Sequence, residues 1–208
     1  MLEISGIAVS SGIAIAKAYC LIEPDLSFEK VKITDIESEK VRLKEAFKKS
    51  KLELEEIRDT AQTKFGDEKA AIFSAHLLLL GDPEMLGAIE VKISDGWNAE
   101  TALQETATMY IEMFEAMDND YMKERAADIR DVSTRVLSHL LGVEIPDFSR
   151  ISTDVIIVAE DLTPSITAQL DKTYVKGIIT DIGGRTSHSA ILARRMELPA
   201  VVGTKTAT

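Results

Sequence analysis

An α/β unit built from both ends of the chain, interrupted by an inserted all-α antiparallel bundle, is the architecture this sequence predicts. Three observations carry that expectation. Both ends are punctuated by glycine and rich in short β-branched runs, the pattern of strands bounded by turns. The middle repeats its apolar residues at helical spacing. The charge is segregated as well: residues 34–145 carry a net charge of −10 out of the chain's −11, as a solvated helical surface would.

Residues 4–22 place Ile7, Val9, Ile13, Ile15 and Tyr19 at odd positions around Ser10-Ser11-Gly12, which predicts two short strands joined by a turn and ended at Glu23-Pro24-Asp25. From Thr34-Asp35, with Glu37 completing a capping pattern, Leu43, Phe47, Leu54, Ile57, Ala61 and Phe65 form one stripe of a long helix. Gly66-Asp67 interrupts it, and an unusually apolar second helix is expected over 68–80. Gly81-Asp82-Pro83-Glu84 breaks that one, because proline is excluded from a helix interior and welcome in a first turn. Helices over 84–93, 99–117 and 121–141 complete the bundle, the last with Ile129, Val132, Val136 and Leu140 on one face and Gly142 as its left-handed stop. Beyond Asp147, strands are expected at 154–159, 175–180 and 198–202, with helices at 163–170 and 189–196. The predicted limits are 1–24 with 146–208 for the α/β unit and 33–143 for the bundle. No later segment covers the strand at 198–202, so the α/β unit is expected to be truncated at its C-terminal end.

Composition narrows the function classes. With 45% apolar and 28% charged residues, a packed core is expected and wholesale disorder is excluded. The longest apolar stretch, near Leu77 to Leu80, is far short of the ~20 residues that span a bilayer, and no basic leader precedes an apolar run. Cys20 is the only cysteine, which excludes an intrachain disulfide or a multi-cysteine metal site and fits a cytoplasmic protein. The acidic balance disfavours nucleic acid and anionic membranes and favours a basic partner. The three histidines lie far apart without metal-type spacing, so no metal site is expected. His139 reads as structural, and His76 reads equally as a satisfied core histidine or as part of an exposed docking face.

The stretch most able to carry chemistry is Gly183-Gly184-Arg185-Thr186-Ser187-His188-Ser189, between a buried strand and a helix. Paired glycines let backbone approach a ligand closely, and the helix start offers unpaired N–H groups and a positive dipole end. Thr186, Ser187 and Ser189 add hydroxyls and Arg185 a fixed cation around His188. The dipole keeps the imidazole neutral and therefore nucleophilic, so the pattern makes a coherent phosphohistidine site. By residue types alone, a histidine cap beside ordinary turn glycines remains an open alternative.

Gly183 through Arg194, continued by Glu197-Leu198-Pro199-Ala200-Val201-Val202-Gly203, closely resembles the phosphohistidine signature of the phosphoenolpyruvate-utilising enzymes. The whole chain resembles the N-terminal region of Enzyme I of the bacterial sugar phosphotransferase system. Ser5 through Ala14 is similar to that family's opening, although the family often has proline where Ser11 stands. Glu68 through His76 and Lys123 through Asp131 resemble its helical insertion, and Asp161-Leu162-Thr163-Pro164-Ser165 matches the stretch before the active-site strand.

The resemblance implies an α/β swivelling phosphohistidine subdomain with an inserted helical subdomain that docks the carrier protein HPr. It implies a phosphoenolpyruvate-protein phosphotransferase in which His188 is phosphorylated on Nε2 and Thr167 bonds the other ring nitrogen. Gly183, Gly184, Arg185, Thr186, Ser187 and Ser189 would surround the phosphate. For HPr, Asp67, Glu68, Asp82 and Glu84 are the expected acidic contacts, and Lys69 the side chain that reaches the transferred phosphate. Ala71, Ala75 and Leu79 read as the dry centre of that interface or as bundle core, and His76 would join them if exposed. No cofactor is expected in this chain. Phosphoenolpyruvate and Mg²⁺ belong in the family to a C-terminal barrel without a counterpart here, so the chain is expected to be a monomeric fragment of a homodimeric enzyme. Two competing readings are a swivelling domain of a pyruvate phosphate dikinase or phosphoenolpyruvate synthase relative, and a non-catalytic protein-binding module.

Overall fold

A computed structural model describes residues 3–22 and 24–208, apart from the side chains of Asp120 and Glu124. Met1, Leu2 and the Glu23 of the predicted break lie outside the described residues. The chain divides into two compact units, Met1–Glu23 with Pro146–Thr208, and Pro24–Ile145.

The helical unit therefore begins earlier than the periodicity indicates. Residues 24–33 form an extended strap held by polar and ring contacts, which leave no apolar rhythm in the sequence. Lys32 bridges Trp97 backbone to backbone. Asn98 Oδ1 accepts from the Val31 N–H at 3.4 Å, and its Nδ2 donates to the Glu29 carbonyl at 3.2 Å. The Lys30 and Lys32 ammonium groups lie 4.3 and 3.7 Å from the centre of the Trp97 ring.

Five helices follow: α1 Ile36–Phe65, α2 Asp67–Leu80, α3 Pro83–Ser94, α4 Ala99–Glu115 and α5 Asp120–Leu141. Asp35 caps α1 by accepting from the Ser38 N–H at 3.0 Å, Asp82 caps α3 by accepting from Glu84, and Gly142 stops α5 in the left-handed region at φ 69°. Helix α1 packs on α2 and α5, α4 on α3 and α5, and α2 on α5. Leu43, Leu54, Phe73, Ile89, Ile93, Leu103 and Val136 are fully buried in this unit. The predicted α5 face is also buried at Ile129, Val132, Val136 and Leu140. Among the described residues no single helix is long and apolar enough to cross a membrane, although α2 and α3 together, bent by 46°, have the length and composition.

The α/β unit is a five-stranded sheet in the order β1-β5-β4-β3-β2. Its strands are β1 Ile7–Ser10, β2 Lys17–Cys20, β3 Val155–Ala159, β4 Val175–Thr180 and β5 Ala200–Val202. Strands β2 to β5 run parallel, and β1 pairs antiparallel with β5. Helices α6 Pro164–Gln169 and α7 His188–Met196 cover the sheet, with Ile157, Ile178, Leu162, Leu170, Ala190 and Val202 in the core between them. A single 3₁₀ turn, Phe148–Arg150, escapes the sequence reading because it is one turn long; it buries Phe148, whose ring meets Tyr19 edge-on at 6.1 Å.

One expectation is corrected here. Strands β1 and β2 are not joined as neighbours across a turn but form opposite edges of the sheet. The intervening segment passes over β4, where a Cβ on Gly177 would come within 3.3 Å of Ala14 Cβ. This turns Ile13 and Ile15 outward, both 92% exposed, so their odd-position pattern is not strand alternation. The free edge of β5 is taken by β1, which returns from the other end of the chain to pair beside it.

Candidate active site

Strands β3 and β4 run parallel, so the loops that leave them emerge at the same carboxyl edge, where open α/β sheets place their sites. After β3, Thr163 caps α6 by accepting from the Ile166 N–H at 3.4 Å, and Pro164 occupies the first turn. This short helix presents Thr167, only 3% exposed. After β4, residues 181–187 lead to α7, whose first residue is the exposed His188. The Thr167 hydroxyl lies 3.1 Å from His188 Nε2.

That contact revises one implied role. Thr167 was expected at the other ring nitrogen, yet its hydroxyl faces Nε2 itself. The same hydroxyl donates to the Pro164 carbonyl at 2.8 Å. A hydroxyl has one proton to give: with it on the Pro164 carbonyl the ring contact is donated by an Nε2–H, and with it turned to the ring the acceptor is a bare Nε2.

The loop's shape comes from its own glycines and serines. Gly183 sits at φ 116°, and a Cβ there would come within 3.0 Å of Ser187 Oγ, so any other residue would be both strained and crowded. Ser187 donates through Oγ to the Gly184 carbonyl at 2.9 Å and accepts from the Ala190 N–H at 3.3 Å. Its hydroxyl is a turn lock and helix cap, which corrects its expected place among the phosphate ligands. Ser189 is corrected too: it is fully buried and donates to Asp161 Oδ1 at 2.8 Å, because the second residue of α7 points into the sheet when the first points out. Gly184 has open space where a side chain would be, and Arg185 and Thr186 are exposed beside it. The Arg185 carbonyl accepts from Arg194 Nη1 at 3.0 Å. Gly184, Arg185, Thr186 and the start of α7 are thus the groups available to an anion at His188.

Two carboxylates escaped the sequence reading. Asp161 receives Ser189 and the Leu162 N–H at 2.8 Å, tying the end of β3 to α7. Asp181 stands where β4 enters the loop, and Thr204 Oγ1 donates to its Oδ1 at 2.7 Å. The signal available for both was position alone: an aspartate just beyond a buried strand.

Residues 5–125 match the family model for the N-terminal domain of phosphoenolpyruvate-utilising enzymes, and residues 151–208 match that for their mobile domain. The chain belongs to the phosphoenolpyruvate-utilising enzymes. It is 64% identical to the phosphoenolpyruvate-protein phosphotransferase of Bacillus subtilis over its full length, and 65% identical over 99% of its length to that of Geobacillus stearothermophilus. It spans little more than a third of those relatives, 37% and 36% of their lengths. An Enzyme I solution structure superposes with a TM-score of 0.89 at 40% identity, covering 98% of this chain and 84% of that one. The N-terminal domain of a nitrogen-type Enzyme 1 superposes at 0.64 with 26% identity, covering 97% and 83%. The fold is that of the Enzyme I N-terminal domain, an α/β phosphohistidine unit with an inserted helical bundle.

In this member of the phosphoenolpyruvate-utilising enzymes, the residues expected to dock HPr gather along α2 and at the start of α3. Asp67, Glu68, Ala71 and Glu84 are exposed, and Lys69, Ala75, Leu79 and Asp82 half-buried. Asp67 accepts from Gln62 Nε2 at 2.9 Å, and the Lys69 ammonium lies 4.6 Å from the Phe65 ring centre. Leu78, unremarked in the sequence, is 78% exposed on the same helix. His76 is resolved as a core histidine: it is 1% exposed, meets Phe73 edge-on, and places Nε2 3.3 Å from Asp128 Oδ1. Burial removes it from any directly presented surface. Arg125 reaches the other oxygen of Asp128 at 3.3 Å and also bonds the Tyr121 hydroxyl. His139 places Nε2 2.8 Å from Glu53, which also pairs with Arg135, and so ties α5 to α1. Among the described residues no three histidine, cysteine or carboxylate side chains converge as a metal site.

Proposed function

We propose that this chain is the phosphotransfer portion of a phosphoenolpyruvate-protein phosphotransferase, taking phosphate on His188 and exchanging it with HPr. The observation that carries the reading is an exposed histidine at the first position of a helix with its ring held by a buried threonine hydroxyl. The positive end of α7 and the Arg185 guanidinium offset the charge of an arriving phosphoryl group. Nε2 cannot attack while it carries a proton shared with Thr167. The step therefore requires the proton to move to Nδ1 and the ring to turn off the Thr167 hydroxyl. The Nε2 lone pair then bonds phosphorus, and the donor leaves with the electron pair of its own bond to phosphorus.

The acidic bundle supplies a surface for a partner whose phosphate site has cationic surroundings. Phosphoenolpyruvate would act through the further domain of a full-length, homodimeric, cytoplasmic enzyme. Mg²⁺ would belong to that domain; among the described residues no fitting ligand set converges, and no step here passes through the ion.

Incubation with radiolabelled phospho-HPr tests the reading. Acid-labile label at His188 is the expected result. A stable complex without label supports a binding module instead, and neither label nor complex supports a dikinase-type swivelling domain.

A further inference from the structure

The Gly183-Gly184 loop makes few bonds to the body of the sheet through its own side chains, yet its root is fastened with unusual completeness. Asp181, 9% exposed, accepts from Thr204 Oγ1 at 2.7 Å and the Ala207 N–H at 2.6 Å through Oδ1, and from the Thr208 N–H at 3.1 Å and the Thr208 hydroxyl through Oδ2. These neutral donors fill the roughly four lone-pair positions of a carboxylate. They also hold its carboxyl well below the usual range, with Thr204 the largest contribution, then Thr208 and the Ala207 N–H. Backbone bonds reinforce the same joint: the Thr204 N–H donates to the Thr180 carbonyl at 3.1 Å and the Lys205 N–H to the Asp181 carbonyl at 3.1 Å. Gly203, at φ 69°, passes so close that a Cβ would come within 3.1 Å of the Gly183 carbonyl. Each contact joins residues 203–208 to residues 180–183.

We infer that Asp181 is a positioning residue for His188 chemistry: its carboxylate locks the turn after β5 onto the root of the loop, and so fixes Gly183, Gly184 and the start of α7. This rests on the proposed phosphotransfer at His188 and adds a residue that touches neither phosphate nor imidazole. The geometry explains why a carboxylate is needed. An asparagine would replace two acceptor positions by N–H donors facing donors already there, so one side of the joint would have to open.

The test compares Asp181→Asn and Thr204→Val with the unmodified chain. Thr204→Val keeps the shape, removes a single donor, and serves if Asp181→Asn does not fold. Two measurements are paired: amide hydrogen exchange on the resting protein, and single-turnover phosphate transfer from phospho-HPr together with HPr affinity. The expected result is at least tenfold faster exchange at Ile182–Gly184 and at Ala207 and Thr208 in Asp181→Asn, with about tenfold slower transfer and HPr affinity unchanged within twofold. Thr204→Val should show the same pattern, smaller. Loop exchange equal to the unmodified chain overturns the inference, as does transfer at the unmodified rate, or a rate loss matched by an equal loss of HPr affinity. Loosened loop amides in a chain that never takes label at His188 would overturn the phosphotransfer reading and support the anchor, so the two fail separately.

Discussion

At the scale of single residues, the chemistry turns on which nitrogen of His188 carries the proton. With its proton on the Pro164 carbonyl, the Thr167 hydroxyl favours an Nε2–H ring at rest. Ring-nitrogen NMR should therefore find a single Nε2–H tautomer in the unmodified chain, and a mixture of both in Thr167→Val. Transfer from phospho-HPr should slow in Thr167→Val by roughly tenfold, because the ring loses its fixed orientation while the nucleophile remains. His188→Ala should abolish uptake altogether and leave the melting temperature nearly unchanged, since the side chain is exposed at a helix start. Label that persists in that variant, or appears at His76 or His139, would contradict the site.

At the scale of elements, the bundle is held at one end by a polar knot as much as by its apolar core. Arg42 of α1 pairs through both terminal nitrogens with Glu100 of α4 at 2.7 Å, bonds Glu39 at 2.6 Å, and reaches the Leu140 carbonyl of α5 at 3.3 Å. Glu39 in turn accepts from the Ala99 N–H at 2.6 Å, so a side chain of one helix caps the start of another. Arg42→Met would leave both carboxylates without their cation. With Arg42 itself 40% exposed and Glu100 7%, the loss should be about 2 kcal/mol, less than for a wholly buried pair. Burial raises the Glu39 carboxyl, but Arg42 and the Ala99 N–H outweigh it and hold it below its ordinary 4.5. A depressed carboxyl stabilises the fold above its ordinary value and loses that contribution as pH falls through its lowered one. Urea midpoints should accordingly fall between pH 6 and pH 3 in the unmodified chain, and fall less steeply in Glu39→Gln.

At the scale of the whole molecule, charge and division of labour set the expectations. Replacing Asp67, Glu68, Asp82 and Glu84 by their amides should weaken HPr binding mainly through the association rate and flatten its salt dependence. Asparagine at position 82 preserves the α3 cap, so the helix should survive and circular dichroism should not change. A titration showing HPr in contact only with residues 3–22 and 146–208 would refute the docking assignment. The chain by itself should take no phosphate from phosphoenolpyruvate with Mg²⁺, while still accepting it from phospho-HPr. A small, triply charged donor needs converging cations and a carboxylate-held ion. Here Arg194 is bonded to the loop carbonyl, and among the described residues no such metal set converges. Comparable labelling rates from the two donors would reveal a second active centre.

Everything written in local chemistry is legible along the chain. The helices of the bundle follow from apolar spacing and from Asp35, Asp82-Pro83 and Gly142, whose capping and stopping roles act within a few residues. The strands at 155–159 and 175–180 and the His188 loop are legible for the same reason, as is His188 at a helix start. Contacts between residues far apart in the chain come from packing alone. Strand β1 beside β5, the strap of residues 24–33 on Trp97, and Thr204 on Asp181 leave no periodic trace. The partners of Ser189 and of the Thr167 hydroxyl differ from those expected, and His76 was open between two readings, because each depends on the direction in which a helix is rotated against its neighbours. Propensity and capping act over one turn and can be read along the chain. Burial and hydrogen-bond partnership are properties of where the elements meet, and packing alone assigns them.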